Sequence, residues 1–241
     1  MNTIIVCLSV IICVSIFSAS IIALKTAQND YILVTGSATK SFVSDLIVWR
    51  GSFSKKAVTT KEAYDKLKND TAAVKQYLVN KGVDEKDIVF SSIRMNENRE
   101  TEYNQEGRIT GIIFTGYTLV QGITIESADV DKIEKISRDV TELIDLGVEF
   151  HSMPPEYYYT KLDELKLDLI AKSAENTRIR AETIVNESGA KISKLRSASL
   201  GVFQITPENS STDSYSYEGF YDVSSKNKTA FITTRLEYLL K

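Results

Sequence analysis

The residues that could carry out a reaction are few. The chain has one histidine, His151, and two cysteines, Cys7 and Cys13. Zinc sites are usually built from two or more Cys or His ligands set close together, which a lone histidine cannot supply. Both cysteines fall in an apolar N-terminal run, so the rest of the chain has no thiol for a nucleophile, a metal ligand or a disulfide. His151 reads as a solvated loop or strand-edge residue. No G-x-x-x-x-G-K phosphate loop, no G-x-G-x-x-G after a strand and no G-x-S-x-G elbow is present. Gly107, Gly111 and Gly116 fall in a hairpin pattern, where turns and bulges account for them. Carboxylate pairs such as Asp84/Glu85 and Asp163/Glu164 sit in charged runs and read as solvated faces. The expectation is therefore no catalytic residue, no metal, no cofactor and no enzyme.

The unusual side chains are aromatic. Tyr157, Tyr158 and Tyr159 are consecutive, and Tyr215, Tyr217, Phe220 and Tyr221 cluster in "PENSSTDSYSYEGFYDVSSKN", residues 207–227. Tyrosine combines apolar area with a polar tip, which suits a contact surface. These residues are the candidate contact surface. Packing of the loop onto its own domain is the alternative. A segment of this length is too long for a tight hairpin turn, and such loops are usually functional or disordered.

Several elements must position them. "IIVCLSVIICVSIFSASIIAL", residues 4–24, carries no charge and is long enough to cross a bilayer as a helix. It reads as an uncleaved membrane anchor. A cleaved signal peptide is the alternative, because Ser18, Ala19 and Ser20 could form a cleavage site. Residues 1–24 are thus the anchor or signal, 25–30 a polar linker, and 31–241 one domain. The net charge of −3 gives no footprint for nucleic acid.

After the linker, Tyr31 begins a strand. In the following segment Asp45, Ile47, Trp49, Gly51 and Phe53 point one way, and Leu46, Val48, Arg50 and Ser52 the other. Apolar residues on both faces mark a central strand. "TTKEAYDKLKNDTAAVKQYLVNKGV" is a helix capped by Thr59 or Thr60 and stopped by Gly82. Residues 88–126 form an antiparallel hairpin around "YNQEG". Asp129 opens a second helix whose stripe is Val130, Ile133, Ile136, Val140, Leu143 and Ile144, closed by Gly147. A third helix runs from about Lys161 to Ser188, entered through the tyrosine triplet, with Ile184 in its stripe. "KISKLRSASLGVFQIT" and "TAFITTRLEYLLK" are closing strands. "VTG" at 34–36 and "FTG" at 114–116 are each followed by a helix, a faint echo of duplicated strand-helix-strand units. The fold class is α+β, with antiparallel sheet or sheets and helices packed on one face.

"VTGSATKSFVSD", "GYTLVQGITIES", "PPEYYYTKLDELKLDLIAKSAENTRIRAETI" and "SLGVFQITP" together resemble the SIMPL domain family. It includes bacterial envelope proteins labelled oxidative stress defence protein and periplasmic immunogenic protein. The resemblance spans about residues 31–241 and rests on pattern, since none of these segments is a catalytic motif. It implies an exported or membrane-anchored α+β protein that forms higher oligomers, with no enzymatic activity established for the family. A part in oxidative stress tolerance is suggested for some members. The expectation is a self-assembling, non-enzymatic envelope protein with residues 31–241 outside the cytoplasm. A monomeric binding module for an envelope ligand or partner protein is the alternative.

Overall fold

The computed structural model describes residues 12–20, 30–210 and 218–241. Residues 12–20 are helical (α1), with Ile12, Val14, Ile16 and Phe17 exposed. Most of the expected anchor at 4–24 lies outside the described residues. Among the described residues, no helix is long and apolar enough to cross a membrane. The chain then runs through β1 (Tyr31–Val43), β2 (Leu46–Ala57), α2 (Thr60–Asn80), β3 (Ile88–Phe90), β4 (Arg94–Tyr103) and β5 (Ile109–Ser127). It continues through α3 (Val130–Asp139), a 3-10 stretch (Val140–Leu146), β6 (Phe150–Ser152), β7 (Glu156–Tyr158) and α4 (Leu162–Glu187). β8 (Ile192–Leu200), β9 (Gln204–Pro207) and β10 (Asn227–Leu240) complete it.

These elements make an α+β fold with two antiparallel sheets. In the first, β10 is central, flanked by β1 on one side and by β8 and β9 in succession on the other. In the second, β5 pairs with β2 on one side and with β3 and β4 on the other, and β2 also pairs with β6 and β7. The expected central position of β2 is therefore observed.

The larger core lies where α2 and α3 cover the second sheet. Ile47, Trp49 and Phe53 of β2 meet Leu119, Ile123 and Ile125 of β5, and Leu67, Val74 and Leu78 of α2 close over them. Alternation along the strands and a 3.6-residue period along the helix bring these residues to one layer. Thr59 caps α2 through its hydroxyl, which accepts the Glu62 N–H at 3.3 Å, and Gly82 leaves the helix at φ 87°. Thr59→Ala is expected to cost about 1 kcal/mol. The check is a lower urea midpoint at unchanged slope, read from the emission of Trp49, which is the only tryptophan.

Two predicted core residues are exposed. Ile144 lies in the 3-10 stretch, where the period tightens from 3.6 to 3.0 residues per turn. Leu143 stays inside and its neighbour rotates out. Ile184 is exposed because the buried seam of α4 is narrow and advances in steps of four: Leu165, Leu169, Ser173, Thr177, Ala181, Val185. The small residues at its middle let the helix lie close on β1, where a Cβ on Gly36 would stand 2.3 Å from Thr177 Oγ1. "KISKLRSASLGVFQIT" is two strands, interrupted around Gly201, whose N–H donates to Thr233 O at 2.8 Å.

Segment 220–228 joins the two sheets. Asp222 N–H donates to Ile205 O (2.9 Å) on the first sheet, and Tyr157 N–H donates to Val223 O (2.7 Å) from the second. Ser44 N–H donates to Lys226 O at 2.9 Å, at the point where β1 passes into β2. Lys226 forms ion pairs with Asp131 and Glu134 of α3.

Candidate functional site

The tyrosine triplet is not one surface. It belongs to β7 and the turn after it, rather than to a helix entry, so alternation sends its side chains apart. Tyr157 is buried in the larger core and is removed from the exposed candidates. Burial raises its phenol pKa, helped by the nearby Glu134 carboxylate. Tyr158 points the other way and donates to Glu156 at 2.7 Å. Glu156 also accepts from Arg50 at 2.7 Å, and the hydrogen bonds from Tyr158 and then Arg50 lower its pKa. Tyr159 packs its ring 4.7 Å from Phe42, against the core under α4. Tyr215 and Tyr217 lie outside the described residues. Phe220 and Tyr221 are both exposed.

His151 is exposed on β6, opposite Ser52. Among the described residues, no three His, Cys, Asp or Glu side chains converge as metal ligands would. Asp45 and Arg50 are both engaged at the rim. Asp45 accepts from Thr160 N–H at 2.7 Å and Thr160 Oγ1 at 2.8 Å, and Arg50 pairs with Glu156.

Sequence reasoning missed a buried ion pair. Lys228 on β10 is fully buried and its ammonium donates to Asp222 O at 2.5 Å and to Asp222 Oδ2 at 3.2 Å. The Asp222 carboxylate also accepts from Ser224 N–H, Ser224 Oγ and Ser225 N–H. This group fixes the strap described above. Its polar atoms bond to one another and to Ser224 and Ser225, so the group acts as a latch.

An uncommitted apolar surface lies on the distal part of the β4–β5 hairpin. β2 stops at Ala57, opposite Tyr117, because the chain turns there toward the cap of α2. β5 therefore continues from Gly116 back to Ile109 with only β4 beside it among the described residues. The departure is built in. Thr115 is skipped in the register between Asn98↔Gly116 and Arg99↔Phe114, a bulge that bends the ribbon. Gly116 takes φ 120°, and a Cβ there would stand 2.3 Å from Ala57 O. Beyond this point the ribbon is an arm with no core beneath it. Ile109 and Ile112 are each 67% exposed, and Ile113 and Phe114 are also exposed. Contiguous exposed apolar area of this kind marks an interaction surface. The signal in the sequence was the apolar run "ITGIIFT" beside a strongly charged partner strand. It could be read only once the end of β2 was known.

A groove of about 540 Å³ lies between the outer edge of β1 and α4, lined by Leu33, Thr35, Ile179, Arg180 and Ile184 among others. Its middle is already engaged. Asn176 Oδ1 accepts Ser37 N–H at 3.3 Å and Arg180 donates to Thr35 O at 3.4 Å, so α4 covers part of the β1 edge.

No curated protein matches the chain. The family model described as SIMPL, a protein of unknown function (DUF541), matches residues 32–231, which run from β1 through β9 into the start of β10. The chain therefore belongs to the SIMPL family.

Proposed function

We propose that this chain is a non-enzymatic, self-assembling protein of the cell envelope, held at a membrane through residues 4–24 with residues 31–241 outside the cytoplasm. The observation that carries the assembly reading is the arm. A two-stranded ribbon alone is marginal in water. This one keeps an apolar strand exposed beyond the last residue of the sheet that could support it. The apolar, uncharged start supports the membrane part. Any part in stress tolerance is indirect, through the integrity of the envelope or through a partner, because the domain has no thiol to oxidise.

The test is the mass of the full chain in detergent, by light scattering over a dilution series, beside a variant in which residues 99–114 are replaced by Asn-Gly. The wild type is expected well above the 27.0 kDa of one chain, and the variant at one chain. None of the removed residues belongs to the cores, so Trp49 emission should stay that of a buried indole. A wild type that is one chain at all concentrations overturns the proposal. It would favour a monomeric binding module, for which the groove beside β1 is the supporting feature.

A further inference from the structure

We propose that the free edge of β5 over Ile109–Thr115 pairs antiparallel with the same segment of a second copy, so that two arms form one continuous four-stranded sheet about a two-fold axis. This rests on the self-assembly reading and names its partner, edge and register.

The edge is open. Among the described residues nothing pairs with β5 on the β2 side before Tyr117, so the outward N–H and C=O groups of Ile109–Thr115 have no ladder. The segment has the composition that strand pairing requires. "ITGIIFT" has no charge and no proline and is rich in β-branched and aromatic residues. The arm's other edge is defended. β4 carries Arg94, Glu97, Arg99, Glu100 and Glu102, all exposed. Charged side chains along an edge strand are a common guard against pairing with another chain. One edge of the ribbon thus carries charged side chains and the other carries none.

A second copy fits this edge because an uncharged strand is complementary to itself. Under an antiparallel two-fold the segment meets itself with an isoleucine opposite its own copy and no charge to repel. The bulges set the register. Thr110 is skipped between Glu102↔Gly111 and Tyr103↔Ile109, and Thr115 is skipped at the base, which leaves Gly111–Phe114 as the regular stretch. A two-fold normal to an antiparallel pair places one residue opposite its own copy. Within this stretch that residue is Ile112, with Gly111 opposite Ile113, or Ile113, with Ile112 opposite Phe114.

The sequence makes the test clean, because Cys7 and Cys13 are the only cysteines. In the full chain with both changed to serine, single cysteines are introduced at each position from 109 to 115 and oxidised in detergent. A disulfide needs its Cβ atoms about 3.5–4.5 Å apart. Diagonal neighbours in a sheet stand about 7–8 Å apart. The expected result is a sharp maximum of linked dimer at Ile112→Cys or at Ile113→Cys, roughly tenfold above Ile109→Cys and Thr115→Cys. Trp49 emission is the fold control, and all seven sites lie outside the cores. If light scattering shows an assembly but linking is absent or flat across the scan, the β5 pairing is overturned while self-assembly stands. A single chain by light scattering overturns both. If phosphatidylglycerol vesicles shield the thiols from a water-soluble maleimide and no dimer links, the arm lies on lipid and the pairing is again overturned.

Discussion

Lys228→Met is expected to destabilise the protein by about 3–5 kcal/mol, because it leaves Asp222 buried without its countercharge. Methionine keeps most of the length and apolar stem of lysine, so the loss reports charge and hydrogen bonding more than volume. The donors at Ser224 and Ser225 still hold the carboxylate and should keep the effect toward the lower end. Asp222→Asn combined with Lys228→Met should recover part of the loss, since no unpaired charge then remains. The damage should centre on the strap. Once Asp222 is released, the Tyr157–Val223 and Ser44–Lys226 backbone bonds lose their anchor. Urea unfolding read by Trp49, with a separate probe on α4, would show whether the two sheets still unfold together. A loss below about 1 kcal/mol would mean that the pair is not buried in solution.

The same pair predicts an acid limb. Burial pushes the Asp222 carboxyl up, but hydrogen bonds from Ser224 and the charge of Lys228 together outweigh it, leaving the group below its ordinary 3.8. A carboxyl whose folded pKa lies below its unfolded one contributes stability that is present above the unfolded value and lost as pH falls through the folded one. Wild-type stability should therefore fall below about pH 4. Asp222→Asn should lose this component of the slope while starting from a lower plateau. Lys228 is pushed down by burial, partly offset by Asp222, so the pair stays charged only because both members are held together.

Gly36→Ala is expected to cost about 2–3 kcal/mol. The added Cβ would stand 2.3 Å from Thr177 Oγ1, 2.7 Å from Thr177 N and 2.8 Å from Thr177 Cα. Two of these atoms are backbone, so no rotamer change relieves the contact and α4 as a whole must move. Thr177 Oγ1 is itself committed, donating to Ser173 O at 2.7 Å and reaching Thr234 O at 3.2 Å. Alanine in an ordinary strand position is more favourable than glycine by roughly 0.5–1 kcal/mol. The sign of the change is therefore diagnostic: a gain in the urea midpoint would show that α4 does not lie so close on β1. Gly51→Ala is a useful contrast. Its Cβ would meet the outer atoms of the Phe150 ring, a half-buried side chain that can shift, so the expected loss is smaller.

The sequence was most legible where one element decides its own form. α2 has its cap at Thr59 and its stop at Gly82 as read from the pattern, and it buries Ala63, Leu67, Val74, Tyr77 and Leu78 on one face. The β2 alternation and the turn at Gly107 were equally visible, since propensity, capping and period act over a few residues. Errors arose where a neighbour imposed a different geometry. Tyr157 and Tyr158 are strand because Leu46–Val48 of β2 offers Glu156–Tyr158 a partner there. Ile144 turns out because the helix tightens. Ser173 and Thr177 are buried because Gly36 admits them, although polar residues in a helix suggest its outer face.

The candidate site belongs wholly to the second kind. "ITGIIFT" reads as a strand from its residues alone, and nothing in those residues says which of its edges is covered. That depends on where β2 ends against β5, a contact between Ala57 and Tyr117 set by the start of a distant helix. Lys228 and Asp222 likewise look like surface charges until β9 and β7 close around them. The sequence by itself determined the α+β class, the caps and the main apolar faces of this protein, because those follow from short-range sterics and periodicity. Only the tertiary structure decided which edges stay open and which charges become buried, because both depend on where other strands stop.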